Sequence, residues 1–118
     1  MLVSHNIVEC MDDTLPASLS PAVHEALRTE LSFDGVVMTD DLAMDALDQY
    51  SSDGTVAVLA IQAGNDMLVT TDYQSQIPQV IQAVENGSIS QERIDEAVTR
   101  VLVWKMELGL IDTEDGAL

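Results

Sequence analysis

The sequence predicts an α/β fold in which parallel β-strands alternate with helices. Three short apolar segments, near residues 1–5, 35–40 and 66–70, lack the polar–apolar alternation of half-exposed strands, as expected for strands that are covered on both faces. Each segment is followed by residues whose apolar positions recur with the helical period. The resulting order, β-α-β-α-β-α with roughly 30 to 35 residues per unit, is that of repeated βαβ units.

Five helical segments accompany the strands. They lie near residues 20–31, 42–49, 55–63, 75–86 and 90–108, and an acidic tail follows at 111–118. Ser20 and Pro21 suit the N-cap and the first helical position, so the first helix should begin there. Its apolar face would comprise Val23, Ala26, Leu27 and Leu31. Gly64 should end the third helix, which is apolar nearly all round.

The two last helices carry their own signals. The apolar face of the fourth helix would comprise Ile77, Val80, Ile81 and Val84. Ser88 and Gln91 have the spacing of a capping box at the start of the last helix. Gly109 should end that helix, with Leu110 packing back against it as in a Schellman motif.

The composition excludes several classes of partner. The chain has 21 acidic residues and four basic ones, which gives a formal net charge of −17. A surface this negative repels nucleic acids and anionic membranes, so neither is expected as a partner. We interpret the scattered acidic residues as a halophilic adaptation, because high salt screens their mutual repulsion. A simply well-solvated acidic surface is the alternative.

The length and the remaining composition favour one cytoplasmic domain over residues 1–118. The longest apolar run, residues 56–61, is too short to span a membrane. The first residues lack the basic start and long apolar stretch of a signal peptide. Cys10 is the single cysteine of the sequence and therefore excludes an internal disulfide.

Two adjacent carboxylates follow the second predicted strand. In "GVVMTDDLAM", residues 35–44, Asp40 and Asp41 come where the apolar run ends. Ligands of parallel α/β folds bind at the carboxyl ends of strands, where an aspartate can act as nucleophile, general base or metal ligand. Either aspartate can instead cap the following helix. We expect Asp40 to face the cleft and Asp41 to be the cap.

The two histidines have different expected roles. His5 closes the first predicted strand and should lie on the same rim as Asp40, where it would line the pocket. The alternative for His5 is a structural bond to neighbouring loop backbone. His24 lies beside the apolar face of the first helix and is expected to be structural or on the surface.

Five stretches of the sequence resemble family 3 glycoside hydrolases, in the branch that contains bacterial β-N-acetylhexosaminidases. "SFDGVVMTDDLAM" resembles the segment that carries the catalytic nucleophile. The other four resemble a preceding strand, a loop with its helix, the last barrel strand and the closing helix: "MLVSHNIV", "LPASLSPAVHEALRTEL", "AGNDMLV" and "AVENGSISQERIDEAVTRVLVWKMELGL". Together they cover residues 1 to 110.

The resemblance implies a fold and a reaction. The fold would be a (β/α)8 TIM barrel, of which this chain would supply the last three units, strands six to eight. The reaction would be retaining hydrolysis of terminal β-linked N-acetylglucosamine, with Asp40 as the nucleophile that forms a covalent glycosyl-enzyme. His5, Asp41 and Met44 would contact the substrate. The family needs no metal or organic cofactor, so none is expected.

One motif of the family has no match in residues 1–118. It is a Lys-His-Phe-Pro-Gly-His-Gly-like element that carries the acid/base histidine, and Lys105 is the only lysine in this sequence. Loss of a general acid typically costs on the order of 10²–10⁴-fold in rate, so we expect these residues alone to be nearly inactive.

Two other interpretations of the sequence compete with a segment of a glycosidase. One is a non-catalytic βα module, since three strands leave open sheet edges that either missing N-terminal barrel units or a second copy would have to cover. The other is a phospho-acceptor domain, which is disfavoured because its acidic pair after the first strand and its later lysine are absent.

Overall fold

The computed structural model describes residues 1–42, 47 and 56–110. The helix predicted near 42–49 and the tail at 111–118 lie outside these ranges, apart from residues 42 and 47. Within them, two short strands, a 3-10 helix and four α-helices follow one another. In chain order they are β1 (Leu2–Val3), the 3-10 helix (Ala17–Leu19), α1 (Pro21–Thr29), β2 (Met38–Thr39), α2 (Val56–Ala63), α3 (Tyr73–Glu85) and α4 (Gln91–Glu107).

The sheet is parallel, as predicted. Leu2 pairs with Met38 and Val3 with Thr39. The third predicted strand, near 66–70, is reduced to a single parallel bridge between Met38 and Met67. Its backbone nevertheless follows β2, because the N–H of Thr39 donates to the carbonyl of Met67 at 3.2 Å. The carboxyl ends of all three segments therefore lie at one edge of the sheet.

The core is built from aliphatic side chains of the helices and of β2. Val37, directly before β2, is fully buried. One cluster lies between the 3-10 helix and α2, where Leu19, Leu42, Leu47 and Ala60 are buried together. A second joins β1, α1 and β2, and a third joins α2, α3 and α4. Small residues on α2 let it pack closely, which explains why that helix is apolar on nearly every side.

Capping serines mark the first residues of α1 and α4. Ser20 accepts a hydrogen bond from the Val23 N–H, as the Ser20-Pro21 pair predicts. The predicted capping box of α4 is wrong by two residues. The cap is Ser90, whose hydroxyl accepts from the Arg93 N–H at 3.1 Å, while Ser88 precedes the helix. Two serines, Ser88 and Ser90, precede this helix, and the sequence pattern does not show which of them is the N-cap.

Helix ends and faces differ in part from the prediction. Leu31 lies beyond the end of α1 and is 70% exposed, so it does not belong to the apolar face. On α3, Gln76 and Ala83 point inward, whereas Ile77 and Ile81 are each about half exposed. Val80 and Val84 of the predicted apolar face do pack against the core, so the prediction is correct for these two residues and wrong for Ile77 and Ile81. A pattern of apolar residues cannot predict that the polar residue Gln76 is buried.

The end of α4 forms the hydrogen bonds of a Schellman motif without its apolar contact. Gly109 has φ +76°, and its N–H donates to the Met106 carbonyl at 3.0 Å. The N–H of Leu110 donates to the Lys105 carbonyl at 2.9 Å. The Leu110 side chain, however, is 71% exposed, so the predicted packing against the helix is wrong.

Among the described helices, none has the length and apolar character needed to cross a bilayer.

Candidate active site

Asp40 lies at the carboxyl edge of the sheet, directly after β2. Its N–H donates to the Val3 carbonyl at 3.1 Å, which continues the parallel pairing of β1 and β2 by one residue. Thr39, just before it, is fully buried, and its hydroxyl accepts from the Val69 N–H at 3.1 Å. Three strand ends thus hold the backbone on which Asp40 stands.

The two carboxylate oxygens of Asp40 are in different situations. Oδ1 accepts a hydrogen bond from the N–H of Asp41 at 2.8 Å. Within the described ranges, no hydrogen bond is recorded for Oδ2. The side chain is half-buried at the rim. A half-buried carboxylate at the rim with one oxygen oriented by a backbone N–H can attack an electrophile or accept a proton there.

Asp41 connects two neighbouring loops. Its Oδ1 accepts from the Thr71 N–H at 3.1 Å, which ties the loop after β2 to the loop that precedes α3. Its backbone carbonyl accepts from Nε2 of His5 at 2.8 Å. The predicted role of Asp41 as a helix cap concerns a helix outside the described residues. Met44, predicted to contact substrate, also lies outside them.

His5 lies on the same rim as Asp40, as its position after β1 predicts. Both of its ring nitrogens have protein partners: Nδ1 lies 2.6 Å from Ser18 Oγ, and Nε2 contacts Asp41. These are the contacts of the structural alternative, a histidine bonded to loop backbone. A sugar hydroxyl could bond to a His5 nitrogen only in place of one of them.

The opposite edge of the sheet contains a charge cluster that sequence reasoning missed. The carboxylate of Asp66 is fully buried and meets three arginines. Its Oδ2 contacts Arg28 at 2.6 Å, and its Oδ1 contacts Arg100 at 3.0 Å and Arg93 at 3.4 Å. The feature of the sequence that could have indicated this cluster is the small number of cations. The chain has four basic residues, and all three of its arginines are in the cluster. An acidic chain keeps cations where they neutralise a buried carboxylate.

The Asp66 cluster also affects the arginines themselves. Burial alone would lower the pKa of Arg100, but the hydrogen bond and charge of Asp66, together with the charge of Glu96, raise it above its ordinary value. Asp66 Oδ2 further accepts from the Val37 N–H at 3.1 Å. The cluster therefore fixes α1 and α4 to the start of β2, at the edge away from Asp40.

His24 and Asn65 form a buried polar pair below the sheet. The Asn65 amide donates to the carbonyls of Ser18 and Ala60 at 2.7 and 2.8 Å, and its Oδ1 lies 3.0 Å from Nε2 of His24. His24 is 3% exposed, which confirms the structural role expected for it. The burial of Asn65 was not predicted from the sequence, because a buried amide leaves no periodic signal.

A cavity of about 460 Å³ lies away from Asp40. It is lined by residues at the amino ends of the strands and by α4, including Met1, Phe33, Gly35 and Trp104. Because the carboxylates of the rim are absent from its lining, this cavity is not the candidate active site. Trp104 belongs to this apolar wall.

Comparison with known proteins identifies the family to which this parallel α/β chain belongs. The model of the glycosyl hydrolase family 3 N-terminal domain matches residues 1–103. The chain therefore belongs to glycosyl hydrolase family 3, whose N-terminal domain is a TIM-barrel-type α/β fold.

Curated relatives support the same family. Over 100 residues the chain is 34% identical to a β-N-acetylglucosaminidase/β-glucosidase of Cellulomonas fimi, an alignment that covers 83% of this chain and 18% of the relative. It is 34% identical over 82 residues to a β-hexosaminidase of Alkalilimnicola ehrlichii, covering 69% and 23%. The chain thus spans about a third or less of the length of the relatives it matches.

Solved structures agree with the fold. A family 3 β-N-acetylglucosaminidase from Paenibacillus is 43% identical, with a TM-score of 0.74, over 82% of this chain and 19% of that one. A β-N-acetylhexosaminidase from Beutenbergia cavernae is 33% identical, with a TM-score of 0.76, over 88% of this chain and 32% of that one.

Proposed function

We propose that this chain is the part of a retaining glycoside hydrolase that carries the nucleophile, Asp40, and that the enzyme removes terminal β-linked N-acetylglucosamine. The observation that carries the proposal is the position of Asp40. It stands half-buried at the carboxyl end of a parallel strand, with Oδ1 held by a backbone N–H.

The chemistry that suits this carboxylate is a double displacement. Oδ2 of Asp40 attacks the anomeric carbon, the bond from that carbon to the leaving oxygen breaks, and the leaving oxygen receives a proton from a general acid. Water then gives a proton to the same acid/base group and attacks the anomeric carbon, and the bond from that carbon to Oδ2 of Asp40 breaks, which releases the sugar with net retention. The Asp41 N–H on Oδ1 orients the carboxylate throughout and leaves the other oxygen for the new bond.

The choice of sugar rests on the relatives. The names of the Paenibacillus and Beutenbergia proteins specify N-acetylglucosamine or N-acetylhexosamine, and the Cellulomonas name adds β-glucoside. We assign N-acetylglucosamine because the resemblance in residues 32–44 is to the hexosaminidase branch. A β-glucoside is therefore the competing substrate in every assay.

The chain would contribute strands six to eight of the barrel and depend on further polypeptide. Apolar side chains on both flanks of the sheet are exposed, among them Leu2 at 60% on β1 and Val69 at 43% beside the third segment. Exposed flanks of this kind suit either the other barrel units or a second copy of the chain. The acid/base histidine would come from the other units, because no matching element occurs in residues 1–118.

A chromogenic nitrophenyl N-acetyl-β-glucosaminide assay tests this proposal. The 118-residue chain alone should turn over on the order of 10²–10⁴-fold more slowly than the same chain assembled with the upstream barrel units. Asp40→Asn should abolish turnover of the assembly. Equal turnover by the assembly and its Asp40→Asn variant would refute the nucleophile. Faster turnover of the nitrophenyl β-glucoside would refute the choice of sugar.

A further inference from the structure

We propose that His5 is a positioning residue that holds the nucleophile's loop by hydrogen bonding to the backbone carbonyl of Asp41. The inference rests on the proposed role of Asp40 and adds a residue that would act on the reaction without touching the reacting atoms. It also replaces the expectation that His5 contacts the sugar directly.

The partners of the imidazole determine where its proton lies. Nε2 is 2.8 Å from the Asp41 carbonyl oxygen, which can only accept, so Nε2 carries a hydrogen. Nδ1 is 2.6 Å from the Ser18 hydroxyl, which can donate. In the neutral ring, Nδ1 is therefore the acceptor, and the Ser18 hydroxyl selects the tautomer that places the donor on Asp41.

Ser18 is a fixed anchor for this ring. It is fully buried in the 3-10 helix. Its N–H donates to the Ser4 carbonyl at 3.1 Å, and its own carbonyl accepts from the Asn65 side chain at 2.7 Å. Because both backbone groups of Ser18 are hydrogen-bonded, Ser18 has little freedom to move. Its hydroxyl therefore fixes the orientation of the His5 ring.

The contacts of Asp41 include three that together orient Asp40. Its carbonyl is held by His5, its carboxylate by the Thr71 N–H at 3.1 Å, and its own N–H donates to Oδ1 of Asp40 at 2.8 Å. Loss of the His5 bond removes one of the contacts that hold the carbonyl end of Asp41, so the residue can rotate more easily. Rotation moves the N–H that orients the nucleophile, and displacement of a reacting group by about 1 Å can cost 10²-fold in rate.

The first test is independent of any glycosidase activity. Nuclear magnetic resonance of the 118-residue chain should show, at neutral pH, a protonated Nε2 and an unprotonated Nδ1 on His5. His5→Ala should speed hydrogen exchange of the Asp41 amide by about 3- to 10-fold, the equivalent of one net hydrogen bond. His5→Gln should restore slow exchange, because its amide nitrogen reaches the place of Nε2.

The second test measures the reaction. A fluorinated N-acetylglucosaminyl fluoride transfers its glycosyl group to the nucleophile without a general acid: the bond from Oδ2 of Asp40 to the anomeric carbon forms, and fluoride leaves with the electron pair. His5→Ala should slow this labelling by about 10²-fold. His5→Gln should label within a few-fold of the unchanged chain. Glu96→Gln is the control, because Glu96 is an exposed residue of the charge cluster at the opposite edge of the sheet, and its substitution should not change the labelling rate.

The outcomes separate the two claims. Failure of the unchanged chain, assembled with the upstream barrel units, to label Asp40 would overturn the proposed function, while the amide exchange of Asp41 in the 118-residue chain still decides the role of His5. Normal labelling of Asp40 with unchanged exchange and rate in His5→Ala would overturn the positioning role alone. If His5→Ala does not fold, Ser18→Ala keeps the ring and removes the hydroxyl that selects the tautomer. An unchanged nitrogen spectrum of His5 in that variant would overturn the inference.

Discussion

Asp66 is the residue whose contacts contribute most clearly to stability. Its side chain is fully buried, while its three arginine partners keep between 17% and 25% of their side chains exposed. A buried carboxylate gains from such partners only when all of its hydrogen bonds are made, and here Val37 supplies a further one. Removal of the charge leaves three cations near one another without their common partner.

Asp66→Asn is therefore expected to lower the free energy of unfolding by about 3 kcal/mol, the lower end of the range for breaking a buried ion pair, because the arginines remain partly hydrated. Urea unfolding followed by circular dichroism measures it. Glu96→Gln is the control: Glu96 also contacts Arg100, at 2.7 Å, but it is 55% exposed and should cost less than about 1 kcal/mol. Equal losses in the two variants would contradict the assignment.

Asp12 gives a prediction about pH. The Ser20 hydroxyl, then the Thr14 N–H and hydroxyl and the Leu15 N–H, lower the pKa of Asp12 from 3.8 to about 2. The folded state therefore favours the ionised form, and this contribution to stability is complete above the unfolded value near 3.8. It is lost as the pH falls through about 2. The free-energy difference between the unchanged chain and Asp12→Asn should shrink between pH 4 and pH 2. A constant difference over that window would contradict it.

At the scale of elements, the start of α4 offers a direct test of capping. Ser90→Ala removes the hydroxyl that accepts from the Arg93 N–H and should cost about 1 kcal/mol. Ser88→Ala is the matched control, because the recorded bonds of Ser88 use its backbone groups, which alanine keeps. Thermal or urea unfolding measures both. A larger loss for Ser88→Ala would restore the capping box that the sequence spacing predicts.

Elements were predictable from sequence where a local chemical rule acts alone. Ser20 and Pro21 placed the start of α1, and Gly109 placed the end of α4. The buried face of α3 was only partly predictable, because its inward residues include the polar Gln76 while Ile77 and Ile81 stay exposed. Tertiary packing, rather than apolar period, decides which face of such a helix is buried.

The candidate site divides in the same way. The rim position of Asp40 and His5 followed from parallel strands and from their places after two apolar runs. The contacts of His5 with Ser18 and Asp41 could not be read from the sequence, because they join residues 13 and 36 positions apart. The same holds for Asp66, whose arginines come from two separate helices.

At the scale of the whole molecule, net charge is the dominant property. At a net charge of −17, the acidic residues of the folded chain repel one another. Added salt screens this repulsion between exposed charges, with a screening length of about 10 Å at 0.1 M. The Asp66 cluster is shielded from this screening because its carboxylate is buried. The melting temperature should therefore rise as KCl is added. A flat or falling melting temperature would refute the proposed adaptation to salt.

The central claim is that Asp40 forms the covalent bond to the sugar, and one measurement tests it most directly. The chain, assembled with the upstream barrel units, is incubated with the fluorinated N-acetylglucosaminyl fluoride, and the labelled peptide is then sequenced by mass spectrometry. The account predicts a mass increase of one glycosyl group located on Asp40, absent from Asp40→Asn and present in Asp41→Asn. A label on another carboxylate, or no label at all, would contradict it.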